Sequence, residues 1–283
     1  MAEGGITISG ALSFAWSILS LHWRAFWGIL ALNALSWTVL FAGMFAHRPE
    51  LVSAGFGAVL VTNYPLRGAV FRLSGGAEGG DNPDKLGALG IQWGRMELRM
   101  FGADALTAIF QFIIWLIVAV ALLAPLFGIV MSHTPPLPMV KPDDFSRALG
   151  PQGPQVLLLV QLILSAVLMF LTMRLFLAVP ASALSGRLAV LRTWKLTRGS
   201  FWTIFVSYIV VQLPMLGTWF LATASINGEL AAFTPVQTFG YAILSGALAG
   251  AASAPLNAGL QAYFYRALGP VPDPSPNGAI GKP

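Results

Sequence analysis

Two carboxylates and one guanidinium stand where a mostly apolar chain has few charges: Glu97 and Asp104 flank the start of one long apolar run, and Arg174 sits at the end of another. An ionised side chain at membrane depth costs about 2.5–3.5 kcal/mol on insertion scales, so it should turn inward and find a partner. A contact of Arg174 with Asp104, or with Glu97, is the expectation. The competing arrangement has Arg174 snorkel to the headgroups. Uncharged polar groups also fall inside apolar runs: Asn33, Asn63, Gln111, Gln161, Gln212, Asn257 and Gln261. Such groups either bond between helices or line a cavity for a solute. Gly246, Gly250, Ser253 and Asn257 recur at steps of four, three and four. A stripe of small residues at that spacing lets a second helix approach closely, and helix packing is the expected role of Gly246, Gly250 and Ser253.

Other chemistry finds no support in the residue pattern. His22, His47 and His133 are scattered, with no HExxH or carboxylate–histidine spacing, so no metal site is expected. The run GFGAVL at Gly55 lies inside an apolar stretch and lacks the strand–turn–helix setting of a nucleotide fingerprint. No nucleophile elbow or P-loop occurs. The chain has no cysteine, which excludes disulfides and thiolate sites. No catalytic residue and no cofactor is expected.

The elements that must hold these groups follow from composition. Of 283 residues, 56% are hydrophobic and 10% charged, and the mean hydropathy is +0.74. A soluble domain carries about 25% charged residues, so this chain lacks the polar surface to cover a globule in water. The expected fold class is all-α: a polytopic helical membrane bundle with six transmembrane helices, as a single domain over 1–268. The spans are placed at about 25–46, 51–71, 101–131, 156–177, 201–225 and 236–266. Residues 6–24 have helical period with a serine stripe and three tryptophans close by; they form either a short interfacial helix or the lower half of a long first helix. The third run is long enough that it must tilt, kink at Pro125 or project from the bilayer. LGALGIQWGRMELRM suggests a further short helix. GGAEGGDNPDK, the proline-rich stretch from His133 to Pro154 and the turn INGELAAFTP are loops, and 269–283 is expected to be disordered. MAEGGITISG contains an acid and no Lys or Arg, so no signal peptide is expected.

Charge sets the expected orientation. With these spans, 13 of the 16 Lys and Arg residues fall on one side, and only Arg48, Lys141 and Arg147 on the other. The positive-inside rule then places both termini in the cytoplasm, with the protein in a bacterial inner membrane. The net charge of +5 is explained by these span ends and does not imply nucleic acid. Expected partners are the lipid bilayer and another inner-membrane protein.

Three places before odd-numbered spans share a Trp, a basic residue and an aromatic entry: AWSILSLHWRAFWGIL, QWGRMELRMFGADAL and TWKLTRGSFWTIFV. Even spans close on Arg67, Arg174 and Arg266. This fits three parallel two-helix repeats with short interfacial helices, or convergent interface chemistry. The segment RLFLAVPASALSGRLAVLRTWKLTRGSFW, through Arg174, Pro180, Trp194, Thr197, Gly199 and Trp202, resembles uncharacterised bacterial six-span proteins. These are similar to the membrane domain of glycerophosphoryl diester phosphodiesterases and to the YciC-like inner-membrane family. LRGAVFRL and WGRMELRMFG resemble a second block of that group. The phosphodiesterase catalytic barrel is absent here, so the resemblance implies a membrane module without transferable catalytic residues. The leading expectation is a non-enzymatic membrane module or scaffold. The alternatives are a transporter or permease-like protein for a small or lipidic substrate, and a lipid-modifying membrane enzyme. A dry, filled bundle would favour the first, a solvated cavity the second, and a cytoplasmic groove holding Glu97 and Asp104 the third.

Overall fold

The N-terminal cap sets the first helix: the Thr7 side chain accepts from the Gly10 amide at 3.1 Å, satisfying one of the free donors of the first turn. From there α1 runs Ile8–Phe45, and its backbone breaks at Phe26 (φ −131°, ψ 20°). The computed structural model describes residues 6–74, 87–133, 150–185, 187–226 and 234–269. The expected loops around residues 75–86, 134–149 and 227–233, and the tail from 270, lie outside the described residues. Among the described residues the regular elements are all helical.

The break in α1 has an identifiable cause. Phe26 is fully buried with Ile29, Leu66 and Ala69, and the turn Ala88–Gly90 is pressed against it. Gly90 has φ +77°, and a Cβ there would stand 2.7 Å from the Phe26 Cα. Residues 8–25 are thus continuous with the first long helix, as the first arm of a bent α1. His22 and Arg24 lie exposed within this first arm.

After a tight turn with His47 at φ 53°, α2 spans Pro49–Leu73, with proline in its first turn where its missing N–H costs nothing. α3 spans Arg95–His133 and carries Pro125 inside it. RMELRM is thus the first part of α3, and only Ala88–Gly90 forms a separate turn. α4 spans Gly153–Arg174, α5 Ala178–Leu184 and α6 Thr193–Leu196. α7 spans Phe201–Ile226. α8, Pro235–Gly246, starts on a reciprocal Thr234–Gln237 capping box. A π-helical stretch, Ala247–Ser253, joins it to α9, Ala254–Leu268.

Among the described residues, five stretches are long and apolar enough to cross a membrane: Ile8–Phe45, Arg95–Gly128, Gly150–Leu184, Phe201–Ala224 and Val236–Leu268. That fits a membrane-embedded protein. α2, expected as a further span, is not among them; it carries Arg67 and Arg72 near its end. α3 and α4 are apolar over most of their surface and largely uncovered, with Ile117 63% and Leu158 60% exposed. Helices of that kind belong in lipid.

Contacts fix the directions. Thr62 of α2 donates to Asn33 of α1, and Arg67 reaches both Asp104 and Gln261. Gln111 meets Thr172, Gln261 meets the Phe176 carbonyl, and the Phe176 ring meets Tyr208 edge-to-face. Gly246 and Gly250 abut α1 at Thr38 and Ala34. Consecutive long helices therefore alternate in direction. The ends bearing Leu73, Arg95, Arg174, Thr197 and Arg266 gather at one end of the bundle, and Arg48 lies at the other.

A polar cavity between the long helices

Polar side chains on each long helix fall at helical spacing on one face, and those faces meet. α2 presents Asn63, Tyr64 and Arg67. α3 presents Asp104, Thr107 and Gln111. α7 adds Tyr208 and Gln212. The π-helix and α9 add Ser253, Asn257 and Gln261. Trp37 comes from α1, and Thr172 and Phe176 from the end of α4 and the turn after it. Together they line one cavity of about 560 Å³, within the size range of small-molecule sites.

Its charged floor is an ion pair. Arg67 Nη1 lies 2.6 Å from Asp104 Oδ2, with side-chain exposures of 11% and 33%. Arg67 Nη2 donates to Gln261 Oε1 at 3.0 Å, and Gln261 Nε2 donates to the Phe176 carbonyl at 3.3 Å. The Tyr64 hydroxyl faces the Asp104 carboxylate. The walls are not self-satisfied. Trp37 Nε1, Thr107 Oγ1, Gln212 Oε1, Ser253 Oγ and Asn257 Oδ1 are buried without a hydrogen-bond partner, and all five residues line the cavity. Leaving one such group unpaired costs about 1–3 kcal/mol. Five on one cavity point to a molecule or waters that complete them.

The charged residues are distributed differently from the expectation. Neither Asp104 nor Glu97 contacts Arg174. Asp104 is taken by Arg67, and Glu97, fully buried, is held by Arg72 Nη2 at 2.5 Å and by the Gly94 amide at 2.9 Å. Both arginines lie on α2, which runs beside the start of α3, so each carboxylate is neutralised by its nearest neighbour. Arg174 instead packs its guanidinium over Phe170, Trp194 and Phe201 at 5.2, 5.6 and 5.6 Å, a favourable electrostatic fit to the ring faces.

The other polar residues separate cleanly. Asn63, Gln111, Gln212, Asn257 and Gln261 line the cavity. Asn33 does not; it donates to the Gly250 carbonyl at 3.0 Å and accepts from Thr62, tying α1 and α2 to the π-helix. Gln161 faces outward beside Ser165. In the stripe of small residues, Gly246 and Gly250 pack on α1, whereas Ser253 and Asn257 open onto the cavity. Among the described residues no three His, Asp or Glu side chains gather to hold a metal.

Sequence reasoning missed Arg67, treating it as a headgroup cation at the end of a span. A signal was present: Asp104, Thr107 and Gln111 form a polar stripe on an otherwise strongly apolar helix, and Ser253, Asn257 and Gln261 form another on α9 and its approach. The pairing has a direct test. Asp104→Arg is expected to reduce accumulation of the protein, and Arg67→Asp in the same chain to restore it. Rescue by Arg174→Asp instead, read on a blot of membranes, would reassign the partner.

No protein-family model, curated protein or solved structure matches this chain.

Proposed function

We propose that the protein crosses the membrane six times, with α2 as the sixth crossing and both termini in the cytoplasm, and that it binds and carries a small polar or amphipathic molecule in the cavity. The reading is permease-like. One observation carries it: five buried, unpartnered polar atoms converge on a cavity built by all the long helices. A scaffold needs only a filled bundle, and filling this space with apolar side chains would be less costly. A lipid-modifying enzyme needs a second acid–base group near Asp104, but Glu97 is buried against Arg72 and does not line the cavity. α2 tolerates its arginines as a crossing because Arg67 and Arg72 are paired inside the bundle. The concentration of arginines at one end supports the cytoplasmic placement of that end, and the shared Trp–basic–aromatic entries support three repeated hairpins. Membership of the six-span group named above, and a bacterial inner membrane as location, belong to the same proposal.

The natural absence of cysteine makes the test simple. Ser253→Cys, Thr107→Cys and Asn257→Cys are expected to react with a small, charged thiol reagent in native membranes. Ala222→Cys, fully buried in packing between helices, is expected not to. Leu188→Cys should react only from the cytosol and Glu50→Cys only from outside. Unreactive cysteines at all three cavity positions would mean a dry interior and end the permease-like reading; access to Leu188→Cys from outside would end the orientation.

A further inference from the structure

We propose that the cavity receives the head of a membrane lipid that enters sideways between α2 and α3, and that this head is net neutral and carries amino or hydroxyl donors. The proposal rests on the reading of the cavity as a ligand site and specifies its ligand.

The route follows from how α2 and α3 meet. Near the arginine-rich end they are joined by the Arg72–Glu97 and Arg67–Asp104 pairs and by the Tyr64 ring against Phe101 at 5.6 Å. Farther along, their facing edges turn outward. Leu60 lines the cavity yet is 41% exposed, and Ala108 opposite it is also exposed. Phe56 and Val61 of α2, and Ile109 and Phe112 of α3, are uncovered and apolar too. The opening is thus a slot with apolar lips between two crossing helices, facing hydrocarbon rather than water.

The depth suits a lipid of the leaflet at the arginine-rich end. Arg67 precedes the end of α2 at Leu73 by six residues, about 9 Å at 1.5 Å per residue. The polar floor therefore lies just below the headgroup level, and the apolar slot lies nearer the midplane. A lipid moved sideways from that leaflet would place its head at Arg67, Asp104 and Asn257 and let its chains leave past Leu60 and Ala108, keeping its orientation. The cavity of about 560 Å³ holds a head and the first methylenes but not two acyl chains.

The head is defined by what faces it. Arg67 and Asp104 cancel, and among the described residues no other charged side chain lines the cavity. An added anion or cation would find no opposite charge left to pair with, at a site only partly open to solvent. Gln212 Oε1 and Asn257 Oδ1 require donors, and Trp37 Nε1 requires an acceptor. A zwitterionic head with an ammonium donor and phosphate acceptors answers all three.

The test uses the full chain in mild detergent, titrated with phosphatidylethanolamine, phosphatidylglycerol or soluble glycerophosphoethanolamine, with bound species read by native mass spectrometry. Phosphatidylethanolamine is expected to bind one site about tenfold or more tightly than phosphatidylglycerol, a difference of about 1.4 kcal/mol. Asn257→Leu and Gln212→Leu should each abolish that preference, and Leu158→Ala on the outer face of α4 should not; two cavity variants guard against one failing to fold. Equal binding of the two lipids, or a preference untouched by both cavity variants, overturns the proposal. Glycerophosphoethanolamine binding as tightly as the lipid also overturns it, leaving a site for a soluble molecule. Binding of no probe while the cavity cysteines remain reactive rejects the lipid alone; binding of no probe with unreactive cysteines rejects the ligand site itself.

Discussion

Arg72→Met is expected to cost the folded protein about 3–5 kcal/mol, because it strands a buried carboxylate. Glu97 has no exposed surface, and Arg72 is 9% exposed at the side chain, 2.5 Å away. With Arg72 gone, Glu97 keeps only the Gly94 amide, and the start of α3 loses one of its ties to α2. The expected result is a large drop in thermal unfolding temperature in detergent and little protein in membranes. Adding Glu97→Gln should recover much of the loss, since the amide can still accept from Gly94 without carrying charge. The exposed pair Arg48–Glu50 provides the contrast: at 3.6 Å with side chains 67% and 63% exposed, it should contribute about 0–1 kcal/mol. Equal, small effects at both pairs would show that Glu97 is not held as described.

The long apolar rods were legible because hydropathy is a property of each segment alone. α3, α4 and α7 begin and end within a few residues of the turn, proline and basic signals around them. The bend in α1 was half legible: His22 and Arg24 marked a change near residue 25, but the cause is the turn at Gly90, more than sixty residues away. Partner choice was not legible. Asp104 could meet Arg67 or Arg174 equally well by leaflet position, and only the packing of α2 beside α3 decides. The same limit hid the fate of Arg174, since its aromatic box draws on Phe170 before the turn and on Trp194 and Phe201 after it. The π-helix was invisible too. GALAGAAS reads as small residues for close packing, which accounts for Gly246 and Gly250, but the extra residue per turn is what carries the stripe from α1 at Gly250 onto the cavity at Ser253.

That division makes Gly250 a position where a single methyl group should do large damage. A Cβ at Gly250 would stand 2.6 Å from the Ala34 Cα, 2.7 Å from its amide nitrogen and 2.8 Å from the Asn33 carbonyl oxygen. All three are backbone atoms of a long helix and cannot swing aside. Gly250→Ala must therefore push the π-helix off α1, stretching the 3.0 Å bond from Asn33 to the Gly250 carbonyl and with it the Asn33–Thr62 link to α2. Overpacking of this kind costs about 1–3 kcal/mol or more, and Gly250→Leu should leave no folded protein in membranes. Gly217→Ala on α7, where nothing lies within 4 Å, should change stability by no more than about 1 kcal/mol, in the favourable direction set by helix propensity. The displacement should also reach the cavity, because Ser253 lies one turn beyond Gly250. In chains carrying Ser253→Cys, adding Gly250→Ala is expected to alter the rate of labelling, and adding Gly217→Ala to leave it alone. If Gly250→Ala is tolerated with both stability and labelling unchanged, α1 and the π-helix are not in contact there, and the wall that brings Ser253 and Asn257 to Arg67 and Asp104 is built some other way.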